Sequence, residues 1–241
     1  MSAVRRSLVL LAAVGLLAFT GLASAAATDP QFDPVPADIA WAGSIVLTTT
    51  DVGPGWTAQP DTGVSGSDES NFCPEATTDY SDLVVTGGAD SPDFTRGASD
   101  VSSSALVWKT AEQAQAAWDR TNAMLPVIDN CIVALLATLS SKQLKIVVTA
   151  NGPMPFPAVA PRTAAYRVKL LFKTTKRVKG KLRKTSSPAS IDAVLLGTGR
   201  TMTLVFLNAF NRKPFTPAYE QSLAAAMAAR MAADPTPTPV P

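Results

Sequence analysis

Histidine is absent from the 241 residues of this chain, and cysteine occurs only twice. The lack of imidazole side chains excludes Ser-His-Asp and Cys-His nucleophile systems, histidine-based metal sites and the usual proton shuttle near neutral pH. Cys73 and Cys131 are separated by 57 residues, which is not the close spacing of a redox-active or metal-binding pair. Most familiar hydrolase mechanisms are therefore excluded, and we expect no enzymatic activity, no metal and no cofactor.

Long apolar runs are also scarce. The one that is present, from Leu8 to Phe19, follows Arg5 and Arg6 and precedes the small residues 23–25. This order predicts a signal peptide over residues 1–25, because an export signal combines a basic start, a short apolar core and a small-residue cleavage site. The run is shorter than the ~20 residues that span a bilayer. We therefore expect a secreted, extracytoplasmic protein that does not span the membrane and that can associate with the cell envelope.

The mature chain is expected to begin with a flexible leader over residues 26–40, to fold as one domain over 41–233 and to end in a Pro-rich tail over 234–241. In an oxidising compartment, Cys73 and Cys131 predict a disulfide that ties the loop-rich first third of the domain to a helix, a constraint of ~4 kcal/mol. We expect a monomer.

Two helices are predicted in the middle of the domain. The first starts at a capping box of Thr110 and Gln113, and the second restarts at Pro126. A last helix starts at Thr216 with Pro217 in its first position.

Strands are predicted from runs of β-branched and large apolar residues, with short connections that favour antiparallel pairing. The fold class that follows is α+β, a curved antiparallel sheet with its helices packed on one face. The predicted strands are Val101–Trp108, Leu144–Thr149, Ala164–Lys173, Ile191–Leu196 and Thr201–Leu207, with a tight turn at residues 197–200.

Charge is unevenly distributed along the chain. Residues 26–162 contain 6 Lys or Arg and 16 Asp or Glu, whereas residues 163–241 contain 13 and 3. Either the two halves interleave in one sheet and neutralise each other, or they form a bipolar surface whose basic end attracts anionic polymers or lipid head groups.

The most basic segment runs from Lys173 to Lys184, where seven of twelve residues are Lys or Arg around Gly180. We expect it at the tip of a long hairpin, where it either discourages edge-to-edge association or binds anionic cell-envelope polymer or lipid. Nucleic acid is not expected, because the chain carries an export signal and the cluster lacks interleaved aromatics. The candidate anion-binding residues are Lys173, Lys176, Arg177, Lys179, Lys181, Arg183 and Lys184.

Carboxylates are the remaining candidates for catalysis or metal binding. A glycosidase needs two of them about 5 to 10 Å apart, and a calcium loop needs a D-x-D-x-D-G pattern that is not present here. We expect these acids to serve turns and solubility. The acids in question are Asp51, Glu75, Asp79, Asp82, Asp90, Asp93 and Asp100.

The segment Leu47–Trp56, with Asp51 at its centre, is followed by Cys73, by Phe94 before a strand that ends at Trp108, by an alanine-rich helix and by the second cysteine. This combination resembles the actinobacterial extracellular sensor-like domain of PknH-type receptor kinases over roughly residues 45–207. The resemblance implies an antiparallel sheet packed with helices around a cleft that takes a ligand. Asp51 is expected to be a local cap or turn residue, and Trp56 and Trp108 to lie in the core.

The chain departs from those kinase sensors in having no kinase domain, no membrane helix, no lipid-attachment cysteine and one cysteine pair where two are expected. Signalling through a tethered kinase is therefore not implied. We predict a secreted, non-enzymatic domain that binds a small or amphipathic ligand in a cleft between sheet and helices. The alternative is a cell-envelope interaction protein that binds anionic polymer or lipid through the hairpin 173–184.

Overall fold

The structure is a computed structural model that describes residues 29–60, 78–138, 140–141, 143–178, 181–210 and 214–233. The predicted signal peptide, Cys73, Glu75, Lys179 and the Pro-rich tail lie outside these residues. The strands are β1 (Gln31–Phe32), β2 (Thr57–Gln59), β3 (Val84–Asp90), β4 (Asp93–Arg96), β5 (Ser99–Trp108), β6 (Leu144–Pro153), β7 (Arg162–Val178), β8 (Lys181–Thr198) and β9 (Thr201–Phe210). The helices are α1 (Pro36–Ile45), α2 (Thr49–Val52), α3 (Ala111–Thr138) and α4 (Pro217–Met231).

The described strands form one mixed sheet that does not close. Its order is β1-β3-β5-β9-β8-β7-β6, with β4 also beside β5 and β2 beside β4. Only the short β1 runs parallel to its neighbour, and the other pairs of the described sheet are antiparallel. The predicted α+β class is confirmed.

The sheet carries apolar side chains on both faces of its central strands. On β5, Val101, Ala105 and Val107 belong to one hydrophobic cluster with α1 and α4. The alternate residues Leu106 and Trp108 belong to another cluster with α3. Because neighbouring residues of a strand point to opposite faces, both faces need a cover. The helices therefore divide between the two faces, which differs from the predicted packing on one face.

Helix α3 runs without a break through Pro126, so the prediction of two separate helices is wrong. Proline has a backbone angle compatible with a helix, but it costs ~3 kcal/mol in a helix interior. Packing at both ends of the helix offsets that cost. Ala114 and Ala117 near its start belong to one hydrophobic cluster, and Leu136 near its end belongs to a second.

No helix in the described part of the chain has the length and apolar character to cross a membrane.

Helix α4 and the last hairpin match the predictions. The Thr216 hydroxyl accepts a hydrogen bond from the backbone of Tyr219, Pro217 occupies the first turn, and Met227 and Met231 are fully buried. Strands β8 and β9 are joined at a turn where Gly199 has a φ of 48°, a left-handed conformation that favours glycine.

Residues 31–40, which are predicted to belong to a flexible leader, contain β1 and the first half of α1. Asp38 of α1 is buried and accepts hydrogen bonds from two guanidinium nitrogens of Arg200, at 2.6 and 2.7 Å. Thr86 of β3 donates to the same carboxylate. These polar contacts hold α1 on the sheet, and they depend on residues too distant in sequence for a local pattern to reveal.

Candidate functional site

Strands β7 and β8 form a hairpin that is longer than the sheet around it. Their pairing continues to Val178, whereas the pairing of β6 with β7 stops at Thr174 and that of β9 with β8 stops at Ala189. Residues 175–178 and 181–184 therefore have strand partners only in each other, and at the base of this extension the backbone N–H of Thr175 also donates to Gln143. We call this two-stranded extension the basic ribbon. The hairpin was predicted from the sequence. The predicted first strand stops at Lys173 and the predicted second strand starts only at Ile191, because Lys and Thr weaken the apolar pattern between them.

Cationic side chains lie on both faces of the basic ribbon and at its base. Lys181 and Arg183 are exposed on one face, because they are two residues apart on the same strand. Lys184 is exposed on the other face, and the register places Lys173, also exposed, on that same face at the base.

The other predicted cations are described only in part. Lys176 and Arg177 occupy register positions opposite Arg183 and Leu182, and Lys179 lies outside the described residues.

The sheet order separates the early strands from the later ones. Strands β1 to β5 occupy one side of the sheet and β6 to β9 the other, with contact at the β5–β9 pair. From residue 130 to residue 191 the chain has 12 Lys or Arg and no Asp or Glu. The side of β6 to β8 is therefore strongly basic, whereas the ion pairs Arg200–Asp38 and Arg230–Asp51 neutralise charge between the two halves of the chain.

The ion pairs among the described side chains do not involve Lys181, Arg183 or Lys184. Each cation that takes part in them lies outside the ribbon. The pairs join Arg120 to Asp82, Arg200 to Asp38, Arg230 to Asp51, Lys109 to Asp33, and Arg167 to Asp192 and Glu220.

A buried cluster of three charged residues was not predicted from the sequence. Arg167 of β7 donates from Nε and Nη2 to the two oxygens of Asp192 on β8, at 2.5 and 3.1 Å. The same Nη2 donates to Glu220 of α4 at 2.6 Å. Asp192 is 0% exposed and Glu220 2%. In the sequence, Asp192 and Glu220 each stand as a single acid in an apolar stretch, which was the only signal of this cluster. Their spacing does not show that the two acids meet.

Burial raises the pKa of Glu220 to about 7, the nearby charge of Asp192 also raises it, and Arg167 opposes both effects. Burial also raises the pKa of Asp192, although Arg167 lowers it. The two acids converge, yet neither side chain is open to solvent, so a substrate cannot reach them. The arrangement ties α4 to the sheet and does not resemble an open glycosidase cleft.

Three of the acids singled out in the sequence have structural partners. Asp51 accepts from the backbone and hydroxyl of Thr48 at 2.7 and 2.8 Å, and so caps α2 as predicted. Asp79 accepts from the backbone of Ser81, and Asp82 binds Arg120.

The acids near β4 and β5 differ from those three. Burial raises the pKa of Asp100 to about 6, while Asn208 lowers it.

Asp90 and Asp93 line a cavity of about 20 Å³. That volume holds about one water molecule, whereas small-molecule sites measure about 300 to 1,000 Å³. Among the described residues, no cluster of acids and cysteines has the arrangement of a metal site.

The predicted core and cysteine residues have different outcomes. Trp108 is buried, at 1% exposure. Trp56 is half-buried, with Arg96 4.5 Å above its ring and Tyr219 stacked on it. Cys131 lies half-buried on α3, and its predicted partner Cys73 lies outside the described residues. The disulfide stays a prediction.

The fold defines a class, an α+β domain with a mixed open sheet covered by helices on both faces. No protein-family model matches the sequence, and no curated protein matches it either. Among solved structures, the chain is similar to the extracellular domain of PknH from Mycobacterium tuberculosis, with a TM-score of 0.37 and 8% sequence identity. The alignment covers 83% of this chain and 98% of that chain. A TM-score this low carries no argument about function, and the family resemblance stays a prediction.

Proposed function

We propose that this chain is an exported, non-enzymatic protein that binds an anionic polymer or lipid of the cell envelope through its basic ribbon. One observation carries the proposal: the β7–β8 hairpin extends beyond its neighbours and presents exposed Lys181, Arg183 and Lys184 without an acidic partner among the described residues. A projecting cationic element attracts polyanions over several ångströms, and salt screens that attraction.

Two further observations support the proposal. The export signal predicted over residues 1–25 would send the chain to the compartment where anionic envelope components occur. The converging acids Asp192 and Glu220 are sealed from solvent, which leaves them without access to a substrate. Binding of a small or amphipathic ligand in a cleft between sheet and helices stays a prediction.

The proposal is tested with the mature chain, phosphatidylglycerol-containing vesicles and immobilised polyphosphate. We expect binding to at least one probe at low salt and its loss at high salt. The triple variant Lys181→Gln, Arg183→Gln, Lys184→Gln should bind on the order of a hundredfold more weakly, since each cation near an anionic surface contributes ~1 kcal/mol.

The matched control compares single charges. Lys109→Gln removes one exposed cation just after β5, beside the start of β9 and far from the ribbon in the strand register. It should leave binding unchanged, whereas Lys181→Gln should weaken binding several-fold. Failure of the wild-type chain to bind either probe, or equal binding by the triple variant, would overturn the proposal. Unfolding curves of each variant check that the fold is intact.

A further inference from the structure

The sheet face that carries α4 extends beyond that helix. Arg167 of β7 contacts Glu220 of α4 on this face, and Lys169 and Lys173 follow on the same strand. Because every second residue of a strand points to the same face, both lysines share the face of α4. Both are exposed, whereas Arg167 is half-buried. In the described part of the chain, the cover that α4 gives this face therefore ends near Arg167.

Three exposed lysines form a row across the strands of this face. Lys145 of β6 is directly opposite Lys173 of β7, and Lys184 of β8 is opposite Thr175. We call Lys145, Lys173 and Lys184 the lysine row. Its members are exposed and take no part in the ion pairs among the described side chains. Thr175 and Ser186, the register partners of Lys184 and Lys173, add hydroxyl groups to the same face.

The lysine row has the dimensions of a short stretch of extended polymer. Lys145 and Lys184 are two strand spacings and two residues apart in the register, which is about 12 Å between their Cα atoms. Ammonium and hydroxyl groups both donate hydrogen bonds to phosphate oxygens. Successive phosphates of one chain can therefore contact the row in order.

The opposite face does not offer such a continuous surface. Lys181 and Arg183 lie on that face of the ribbon. Below the ribbon, Leu170 and Phe172 of the same face are buried in a cluster with Leu136 of α3. A ligand on that face is confined to the ribbon, whereas a ligand on the α4 face can continue from the ribbon to β6.

Helix α4 makes its face of the sheet uneven, which favours a narrow chain over a flat lipid surface. A helix with its side chains is about 10 Å thick, and α4 contacts the sheet at Arg167, on the strand that carries Lys173. A flat surface that approaches this face meets α4 first. A chain can lie beside the helix, at the level of the sheet.

We propose that an extended phosphate-containing polymer binds along the lysine row, from Lys184 to Lys145, with its phosphates on the three ammonium groups. This inference rests on the proposed function, narrows its ligand to a polymer and adds Lys145 of β6 to the site. Charge complementarity supports it, because residues 130–191 contain no acid that would repel such a chain.

The test measures the binding of the mature chain to long-chain polyphosphate as a function of salt. The double variant Lys145→Gln, Lys173→Gln should bind about thirtyfold more weakly, or about fivefold for each cation. It should also reduce the slope of log affinity against log salt by about two, since each lost phosphate contact reduces that slope by about one. Lys145→Arg with Lys173→Arg keeps both charges and should retain binding.

Lys109→Gln is the control, because Lys109 is an exposed cation outside the row. It should leave affinity and slope unchanged. Unfolding curves of each variant check that the fold is intact.

The outcomes separate this inference from the proposed function. Equal polyphosphate binding by wild type and Lys145→Gln, Lys173→Gln would overturn the inference, and the proposed function would stand if the triple ribbon variant still bound more weakly. Binding to phosphatidylglycerol vesicles without binding to polyphosphate would also overturn the inference and leave the proposed function standing. Binding to neither probe would contradict both.

Discussion

At the scale of single residues, burial raises the pKa of Glu220 well above its ordinary value. A carboxyl group in low dielectric loses its hydration, and the second acid Asp192 adds repulsion that one guanidinium only partly offsets. The charged groups that face Glu220 are Arg167 and Asp192, and Lys169 in turn lowers the pKa of Asp192. At neutral pH Glu220 is therefore about half protonated, whereas an exposed pair of acids would have released both protons.

The pH dependence of stability follows from this shift. The folded-state pKa of Glu220, about 7, lies above its ordinary 4.5, so the native state holds the proton more tightly than the unfolded state. The stabilisation is fully present below pH 4.5 and is lost as the pH rises through 7, a change on the order of 3 kcal/mol. Denaturant unfolding at several pH values measures it.

Two variants separate this effect from that of Asp100, whose pKa is raised to about 6. Glu220→Gln should flatten the fall in unfolding free energy between pH 6 and 7. Asp100→Asn should leave that interval unchanged and alter the fall below pH 6. A wild-type stability that is constant from pH 5 to 7 would contradict the assignment.

At the scale of elements, helix α1 lies against β3 at a distance that only glycine permits. A Cβ on Gly87 would come within 2.3 Å of the carbonyl carbon of Asp38. Such an overlap with backbone cannot be relieved by a rotamer change. The contact was not predictable from sequence, because it joins a segment assigned to the leader with a glycine that resembles an ordinary turn residue.

Gly87→Ala should lower the unfolding free energy by about 3 kcal/mol or more, since overpacking against rigid atoms is costly. Gly43→Ala is the matched control, because Gly43 is an exposed residue of α1 and a methyl group there would meet no atom within 4 Å. It should raise the unfolding free energy by about 1 kcal/mol, the helix propensity difference between alanine and glycine. Denaturant unfolding measures both changes. Equal destabilisation by the two substitutions would show that the close approach of α1 to β3 is wrong.

The elements also show which local patterns were sufficient. Thr216 and Pro217 predicted the start of α4, and Gly199 predicted the β8–β9 turn, because caps and tight turns depend on neighbouring residues only. Pro126 misled the prediction for α3, because the packing of both ends of that helix on the sheet outweighs a local cost.

At the scale of the whole molecule, strands β1 to β5 and strands β6 to β9 occupy opposite sides of one sheet. Residues 130–191, which include β6, β7 and most of the ribbon hairpin, carry 12 Lys or Arg and no acid. This uneven distribution of charge would orient the ribbon toward an anionic surface and strands β1 to β5 away from it.

The predicted disulfide acts at the same scale, because it would join Cys131 on α3 to Cys73 in the preceding segment. We expect the exported chain to begin at Ala26 and to have the mass of the reduced chain less two hydrogen atoms. Reduction, or the variant Cys131→Ala, should lower the unfolding free energy by up to ~4 kcal/mol. Intact mass and unfolding with and without reductant measure both effects, and a free thiol in the native exported protein would contradict the prediction.

The sequence by itself determined the features that depend on composition and on neighbouring residues: the exclusion of imidazole chemistry, the α+β class, the capped last helix and the basic hairpin. The tertiary structure alone decided how far the ribbon projects, which side of the sheet each half occupies, and that Arg167, Asp192 and Glu220 meet beneath α4. The physical reason is that projection and convergence depend on where neighbouring strands stop and on contacts between residues 25 to 53 positions apart. A local pattern holds no information about either.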